Sequence, residues 1–284
     1  MDEASFIAAL RTLPLHPGAQ DLRDDCALLE VGSETLVLTH DAIAEGVHYR
    51  PGTDPADIAW KLVAVNLSDL ASKGAEPLGV LIGASLIEQS EGVVEGLREV
   101  LERYQVPLLG GDTIRPQGPP VFGCTAIGRA TVTPVPARTG ARVGDALYVA
   151  GTIGAAMLGF QAGDGAAYLR PQPMLSEGRA LAPLVHAMMD VSDGLLLDAS
   201  RMAVASGCTA SIKLDAVPFP AGMSTDDWAA AVRWGDDYAL LFAAPADIVL
   251  PVPAVRIGTM LAPGGHPLLL DGAAPEGSLG YQHS

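Results

Sequence analysis

The sequence predicts an α+β fold made of two domains. In both halves of the chain, strand-like apolar runs and helical periodicities mix without the strict strand–helix alternation of a doubly wound sheet. The segment 134–142, rich in proline, glycine and arginine, has the composition of a linker between the halves. At 284 residues the chain is long enough for two domains of ordinary size. We therefore place a boundary near residue 136, with domains at 1–136 and 137–284.

The charge balance limits the classes of partner. The chain carries 17 Lys and Arg against 33 Asp and Glu, a formal net charge of −16, which argues against nucleic acid or an anionic membrane as a partner. Only three lysines occur (Lys61, Lys73 and Lys213), so we expect phosphates to be held through metal ions. The cysteines lack zinc-type spacing, and no signal peptide or membrane-spanning run is evident, which predicts a cytoplasmic protein.

The elements of the first half begin with a short amphipathic helix and a hairpin. Gly32-Ser33 separates two strand-like runs and is typical of a hairpin turn. A strand and a helix follow the long helix described below, and two more strands close the domain. The predicted elements are a helix at 5–13, strands at 26–30 and 35–39, a helix at 59–73, a strand at 78–86, a helix at 93–104, and strands at 106–109 and 121–129.

The helix predicted at 59–73 is the most apolar in the chain. It has no breaker before Gly74, and Pro77 follows soon after. The helix should be buried on nearly all sides, so the carboxylate of Asp69 needs a partner there. One interpretation is a narrow solvated stripe carrying an Asp69–Lys73 ion pair. The other is that Asp69 belongs to a functional site.

The second half is predicted to open with a strand at 145–150. A glycine turn at 151–154 precedes a helix at 155–161, and Pro171 and Pro173 mark an extended break. Gly207 ends a later helix. The remaining predicted elements are helices at 178–188, 194–206 and 225–231, strands at 210–214 and 239–243, and weak strands at 255–257 and 267–270.

Aspartates recur where predicted strands end or turns begin. A loop at such a point can direct a short carboxylate into a shared cleft, and converging carboxylates raise one another's pKa unless cations neutralise them. Hard oxygen ligands of this kind suit Mg²⁺ that also binds substrate phosphates. The alternative is that each is an ordinary turn or N-cap aspartate. The residues are Asp24, Asp25, Asp41, Asp112, Asp190 and Asp193, joined by Asp69 on the long helix.

Two glycine turns are weak candidates for phosphate binding. The segments 110–113 and 151–154 could each bring backbone N–H groups close to a phosphate. Glycine turns without a ligand are more common, and the chain has no GxxxxGK[ST] loop. It also has no G-x-S-x-G motif, and nothing in the sequence pairs His48 with a serine.

Taken together, six motifs resemble the thiamine-monophosphate kinase family, which belongs with aminoimidazole ribonucleotide synthetase and selenophosphate synthetase. The resemblance covers about residues 20–245, and the combination is more specific than any single motif. The motifs are Asp24-Asp-Cys-Ala-Leu-Leu29, Glu45-Gly-Val-His48, Ala64-Val-Asn-Leu-Ser-Asp69, Gly110-Gly-Asp-Thr113, Asp190-Val-Ser-Asp-Gly-Leu195 and Gly235-Asp-Asp-Tyr238.

The resemblance implies a two-domain synthetase-like fold and a specific reaction. Its N-terminal domain has a mixed sheet with helices that pairs across a homodimer, and its C-terminal domain is α/β and completes the active site. The implied reaction is direct in-line transfer of a phosphoryl group from ATP to thiamine monophosphate, giving thiamine diphosphate, with several Mg²⁺ ions. Such a reaction asks for positioning and charge neutralisation and needs no covalent nucleophile.

Site residues are implied by position in the motifs. The metal ligands would be Asp25, Thr39, Asp41, Asp69, Asp112, Asp190 and Asp193, with His40 as a further candidate because it stands where the family has Thr. Among these, Asp69, Asp112 and Asp193 are the implied catalytic residues. The ATP contacts would be Tyr104, Gly111, Asp112, Arg138 and Ser192, and the substrate contacts His48 and Asp236.

Some positions depart from the family pattern. Arg23 replaces a glycine, and Asp236 is one methylene shorter than the usual glutamate. An aromatic residue that packs on the substrate near the family's C-terminus has no obvious counterpart in 277–281. We hypothesise that Trp234, in place of a glycine, supplies the missing stacking surface; the alternative is that it fills a gap.

Two other functions remain open at this point. The first is a different ATP-using synthetase of the same superfamily, which would activate an amide or carboxylate oxygen. The second is a nucleotide or thiamine-phosphate binder without activity, which the substitutions at Arg23, His40 and Asp236 motivate. The retained aspartates argue against a binder, because a cluster of carboxylates is costly to keep without chemistry.

Overall fold

A computed structural model describes residues 2–163 and 165–282 of the chain. The helices are α1 (Glu3–Leu10), α2 (Pro55–Ser72), α3 (Ser90–Tyr104), α4 (Ala155–Gln161), α5 (Ala166–Leu169), α6 (Leu175–Leu181), α7 (Leu195–Ser206) and α8 (Trp228–Trp234). The strands are β1 (Ala27–Val31), β2 (Glu34–Ala44), β3 (Glu76–Ser85), β4 (Leu108–Ile114), β5 (Val121–Arg129), β6 (Ala146–Ala150), β7 (Ala187–Asp190), β8 (Thr209–Ile212), β9 (Leu240–Ala244), β10 (Val255–Leu261) and β11 (Leu268–Leu270). The α+β prediction is confirmed.

The strands of the first half form one mixed sheet. Within the described residues its order is β1-β2-β5-β3-β4, antiparallel except for the parallel pair of β3 and β4. The hairpin predicted around Gly32 is confirmed, because β1 and β2 pair on either side of it. The strand predicted at 106–109 is longer than expected and includes the glycine turn at 110–113. β4 is exposed along its length and forms one edge of the sheet.

The strands of the second half form a separate sheet. In the described ranges its order is β11-β8-β10-β6-β9-β7, antiparallel except for β8 and β11. The helix predicted at 178–188 is wrong at its C-terminal end, because α6 stops at Leu181 and residues 187–190 form β7. These four residues are all fully buried beside β9, so pairing within a buried sheet overrides the apolar helical pattern.

Helix α2 packs between the two halves. It contacts β2, β5 and α3 of the first half, and α6 and β7 of the second. Asp54 caps its N-terminus through Ala56 N at 2.9 Å, and Gly74 (φ +60°) ends it. Every residue of α2 except Asp57 is buried, which confirms the burial predicted from its composition. None of the described helices is both long and apolar enough to cross a membrane.

Candidate active site

A cavity of about 1790 Å³ lies between the two halves and contains most of the predicted site residues. Its walls come from β2, α2, the residues before β1, the loop after β7 and the loop after α8. Three predicted residues lie outside its walls, namely Tyr104, Gly111 and Asp112. The predicted residues that line it are Asp25, Thr39, His40, Asp41, His48, Asp69, Arg138, Asp190, Ser192, Asp193, Trp234 and Asp236.

Three carboxyl groups meet at the centre of this cavity. Asp25, Asp69 and Asp190 each offer an oxygen atom, and these atoms all lie within 4.8 Å of one another. They come from three different elements: the segment before β1, helix α2 and the end of β7. We refer to these three residues as the carboxylate cluster. The negative charge of Asp41, on β2, adds to the effect of burial in raising the pKa of Asp69.

Hydrogen bonds from neutral side chains hold this part of the site. The Thr39 hydroxyl donates to Asp69, and the Ser68 hydroxyl donates to Asp190 Oδ2 at 2.5 Å. The backbone N–H of Asp41 donates to Asn66 Oδ1 at 2.9 Å. Ser68 therefore holds the carboxyl group of Asp190 at the end of β7, whereas Asn66 holds the backbone of Asp41 on β2.

Two cations neutralise one member of the cluster. Lys73 Nζ contacts Asp24 and lies 3.1 Å from Asp25 Oδ2, and Arg138 donates to Asp25. Burial alone would raise the pKa of Asp25, but Arg138 and Lys73 together hold it below its usual range. The Asp69–Lys73 ion pair considered from the sequence is therefore not formed by the described side chains. Lys73 neutralises the pair of aspartates before β1.

Three other carboxyl groups of the site have pKa values above the usual range of an aspartate. Burial, followed by the charges of Asp41, Asp190 and Asp25, raises the pKa of Asp69 well above its usual value. Burial and Asp25 raise the pKa of Asp190 to about 8, and burial and Asp25 raise that of Asp41 to about 6. Converging oxygen donors whose ionisation is opposed by mutual repulsion fit a divalent cation such as Mg²⁺.

The loop after β7 brings Ser192 and Asp193 to the cavity. The backbone N–H groups of both residues donate to Asp198 Oδ2, each at 3.1 Å, and Asp198 is fully buried on α7. Arg201 Nη1 lies 2.5 Å from Asp193 Oδ2 and 2.9 Å from Asp198 Oδ1. Gly194 adopts φ +117°, and a Cβ there would lie 2.9 Å from the backbone of Arg233. The glycine is thus required by the close approach of α8.

Aromatic side chains line another part of the cavity, which we call its aromatic end: Phe160, Tyr168 and Trp234. Trp234 packs on Phe160 with ring centroids 5.1 Å apart, and Phe160 in turn meets Tyr168 edge to face at 5.1 Å. Asp236 Oδ1 accepts a hydrogen bond from the Tyr238 hydroxyl at 2.9 Å, and its Oδ2 lies 3.0 Å from Lys61 Nζ. His48, Trp234 and Asp236 all line the cavity, and Asp236 is joined to His48 through Lys61.

The glycine turn at 151–154 is occupied by a side chain of the protein. Asp237 accepts hydrogen bonds from Gly154 N at 2.7 Å and Ala156 N at 3.2 Å. The carboxylate of Asp237 thereby satisfies N–H groups at the N-terminus of α4. The sequence had left two interpretations of this turn open, a phosphate-binding turn and a turn without a ligand. The structure supports the alternative, a glycine turn without a ligand.

Tyr104, Gly111 and Asp112 lie apart from the cluster within one chain. Asp112 on β4 is three strands away from β2 in the sheet order, or about 14 Å. Gly111 approaches β3 so closely that a Cβ would lie 1.9 Å from Ile82 O, which accounts for the glycine through packing. Tyr104 ends α3, and its hydroxyl donates to Gln172 Oε1 at 3.1 Å.

His40 lies on the opposite face of β2 from Thr39 and Asp41, because successive side chains of a strand alternate. Its Nδ1 is 2.8 Å from Thr125 Oγ1. The ring borders the cavity but is directed away from the carboxylate cluster.

Several residues of the site were missed from the sequence. Lys61, Phe160 and Tyr168 belong to none of the motifs. A lysine inside so apolar a helix could still have indicated a buried ion pair. Tyr281 lines the cavity, and its backbone N–H donates to Asp193 O at 2.9 Å. A C-terminal aromatic residue is therefore present at the site, where the sequence offered no obvious counterpart.

Comparison with known proteins gives matches in both halves of the chain. Residues 23–130 match the family described as AIR synthase related protein, N-terminal domain, and residues 142–256 match AIR synthase related protein, C-terminal domain. The chain is 36% identical to thiamine-monophosphate kinase of Escherichia coli (strain K12) over 277 residues, covering 84% of this chain and 83% of that protein.

Solved structures agree with the sequence relatives. AaThiL complexed with AMPPCP and TMP is similar at a TM-score of 0.87 with 26% identity, covering 100% of this chain and 97% of that one. Thiamine-monophosphate kinase from Stenotrophomonas maltophilia K279a gives a TM-score of 0.78 with 34% identity, covering 95% and 96%. The predicted two-domain synthetase-like fold and the family resemblance are both confirmed, and the chain belongs to the thiamine-monophosphate kinase family.

Proposed function

We propose that this protein transfers the γ-phosphoryl group of ATP to thiamine monophosphate, giving thiamine diphosphate and ADP. An oxygen of the thiamine phosphate forms the new P–O bond as the bond between the γ-phosphorus and the bridging oxygen of ATP breaks. The observation that carries the proposal is the carboxylate cluster inside a cavity lined by both domains. The chain is also 36% identical to thiamine-monophosphate kinase of Escherichia coli.

We assign the metal end of the cavity to the acidic residues. Asp25, Asp41, Asp69, Asp190 and Asp193, with the Thr39 hydroxyl, would hold several Mg²⁺ ions. The ions would neutralise the charge of the polyphosphate and orient it for in-line transfer. We leave His40 out of this ligand set, because its ring is directed to the other face of β2. Ser192 and Arg138 border the same end and are assigned to the nucleotide.

We assign the aromatic end to the thiamine rings. Trp234 and Phe160 offer flat apolar surfaces, and a cationic ring packs well on such faces. Asp236 and His48 lie at the same end, where a carboxylate can accept hydrogen bonds from an aminopyrimidine. Tyr281 also lines the cavity, and we propose it as a second candidate for stacking on the substrate beside Trp234.

Three further assignments complete the proposal. We propose the division at residue 136, which lies between the last strand of the first sheet and the first strand of the second. We propose a homodimer in which first-domain sheets pair, supported by the exposed edge strand β4 with Leu108, Leu109 and Ile114. We also propose a cytoplasmic location, which the reduced cysteines favour.

A coupled assay tests the reaction. The purified protein is mixed with ATP and MgCl₂, with and without thiamine monophosphate, and ADP release and thiamine diphosphate are both measured. We expect ADP release that depends on thiamine monophosphate, with one thiamine diphosphate formed per ADP. Excess EDTA should abolish both, and unphosphorylated thiamine should not replace the substrate.

The same assay separates the alternatives. ADP release that is independent of thiamine monophosphate would point to another ATP-using synthetase of the superfamily. Binding of thiamine monophosphate in a calorimeter without any turnover would point to a non-catalytic binder. Either result overturns the proposed reaction.

A further inference from the structure

Lys61 lies behind the aromatic end of the cavity, on helix α2. Its side chain is only 1% exposed, and it does not form part of the cavity wall. Its ammonium group donates to the backbone carbonyl of His48 at 2.9 Å and to Asp236 Oδ2 at 3.0 Å. The ammonium nitrogen also lies 3.8 Å from the ring centroid of Tyr168. These three contacts hold the buried ammonium group of Lys61 in one position.

The two partners of Lys61 come from different halves of the chain. His48 follows β2 in the first half, whereas Asp236 lies in the loop between α8 and β9 in the second. The Tyr168 hydroxyl donates to the same His48 carbonyl at 2.8 Å. One ammonium group therefore fixes the spacing between the two residues assigned to the substrate, across the junction of the halves.

The loop that carries Asp236 needs such support. Asp236 (φ +59°) and Tyr238 (φ +51°) both adopt the left-handed conformation, which is costly for residues other than glycine. Backbone hydrogen bonds from Asp236 N to Ser192 O at 2.8 Å and from Tyr238 N to Val191 O at 2.9 Å anchor the loop. The side chain is oriented by Tyr238 on one oxygen and Lys61 on the other.

We propose that Lys61 is a positioning residue for the thiamine phosphate: it fixes Asp236 and the His48 carbonyl so that the carboxylate accepts from the substrate's ring amino group. The proposal rests on the proposed function. Lys61 does not touch the substrate, and acts through Asp236. A carboxylate has about four acceptor positions, and Lys61 and Tyr238 occupy two, which leaves the others for a ligand N–H in the cavity.

The test compares Lys61→Met with matched variants. Methionine keeps an unbranched side chain of similar length but removes the charge and the donors. We expect the dissociation constant for thiamine monophosphate, measured by calorimetry without ATP, to rise about tenfold or more, since hydrogen bonds to charged groups have this weight. The constant for ATP should change less than twofold, because Lys61 acts on residues assigned to thiamine monophosphate and not on the side chains assigned to the nucleotide. Lys213→Met, at an exposed position, is the matched control and should bind both as wild type does.

A double variant removes the objection that Lys61→Met is merely unstable. Lys61→Met with Asp236→Asn eliminates both charges of the pair, so no unpartnered charge remains buried. If Lys61 acts through Asp236, this double variant should bind thiamine monophosphate no more weakly than Asp236→Asn alone. Additive losses, equal losses for ATP, or unchanged binding in Lys61→Met would overturn the proposal. Because the readout is binding, it holds even if wild-type turnover fails and the proposed reaction is rejected.

Discussion

At the level of single residues, the carboxylate cluster determines how the protein responds to pH. Burial, and after it the charges of neighbouring carboxyl groups, raises the pKa of Asp69, Asp190 and Asp41. In the folded state they retain protons at pH values where the unfolded chain has already released them. The folded state therefore binds more protons than the unfolded state between about pH 4 and pH 8.

We predict that the metal-free protein loses stability as pH rises from 5 to 8. The stability of a state that binds more protons falls with rising pH, and the pKa of about 8 for Asp190 sets the upper part of this window. In excess EDTA the unfolding temperature should decrease over this range, and saturating Mg²⁺ should suppress the decrease. Asp25 has a lowered pKa, so its contribution is lost only at lower pH.

Asp190→Asn is the control for this experiment. It removes one of the raised groups and should make the decrease in EDTA shallower. An unfolding temperature that stays constant or rises between pH 5 and 8 in EDTA would contradict the assigned pKa shifts.

At the level of elements, helix α2 provides side chains to both ends of the cavity. Lys61 and Asp69 are eight residues apart, or about 12 Å along the helix axis. Lys61 supports the aromatic end, whereas Asp69, Ser68 and Asn66 support the metal end. One rigid element thus sets the distance between the two ends.

The position of α2 depends on close contact with α6. A Cβ on Gly178 would lie 1.9 Å from Ala71 O, a backbone atom that cannot move without displacing α2. We predict that Gly178→Ala lowers the free energy of unfolding by about 1–3 kcal/mol, because overpacking forces the helices apart. Urea unfolding followed by circular dichroism measures this change. Gly118→Ala is the matched control, since nothing lies within 4 Å of a Cβ there, and equal stability of the two variants would refute the argument.

Elements with strong local patterns were predictable from the sequence. The hairpin around Gly32 and the buried α2 followed from turn chemistry and from composition. The strand β7 was not predictable from the sequence. Its four buried residues, Ala187–Asp190, carry no local signal that distinguishes a strand from the end of a helix.

The site residues were predictable where the chemistry requires a particular residue type. They were less predictable where a residue reaches the site only through contacts between segments distant in the sequence. Aspartates at strand ends and turns, together with Asp69 on an apolar helix, indicated the cluster, because magnesium coordination explains so many of them better than capping does. Phe160 and Tyr281 could not be assigned, since their places at the cavity depend on how α4 and the C-terminal segment pack. The pairing of Lys61 with Asp236 spans 175 residues, and no local pattern encodes such a contact.

At the level of the whole molecule, one chain does not gather all the residues that the family resemblance implies. Asp112 lies about 14 Å from β2 on an exposed edge strand, so it reaches a carboxylate cluster only if that cluster belongs to a second chain. The proposed homodimer would bring β4 of one protomer toward the other. Asp112 would then complete the partner's site.

We predict that two inactive variants restore activity when mixed. Asp69→Asn and Asp112→Asn should each abolish turnover, because each removes a ligand from every site. After subunit exchange, half of the dimers are mixed and each has one intact site, which gives about a quarter of wild-type activity. Steady-state ADP release measures this recovery. If both residues served the same chain, mixing would restore nothing; an active Asp112→Asn protein would remove Asp112 from the site.

The burial of α2 between both halves also bears on synthesis of the chain. α2 leaves the ribosome long before α6 and β7, which cover one of its faces in the finished protein. Until more than 100 further residues have been translated, that apolar face has no native partner within the chain. The nascent first domain therefore exposes an apolar surface during synthesis, and α2 gains all its native partners only after α6 and β7 of the second domain have been made.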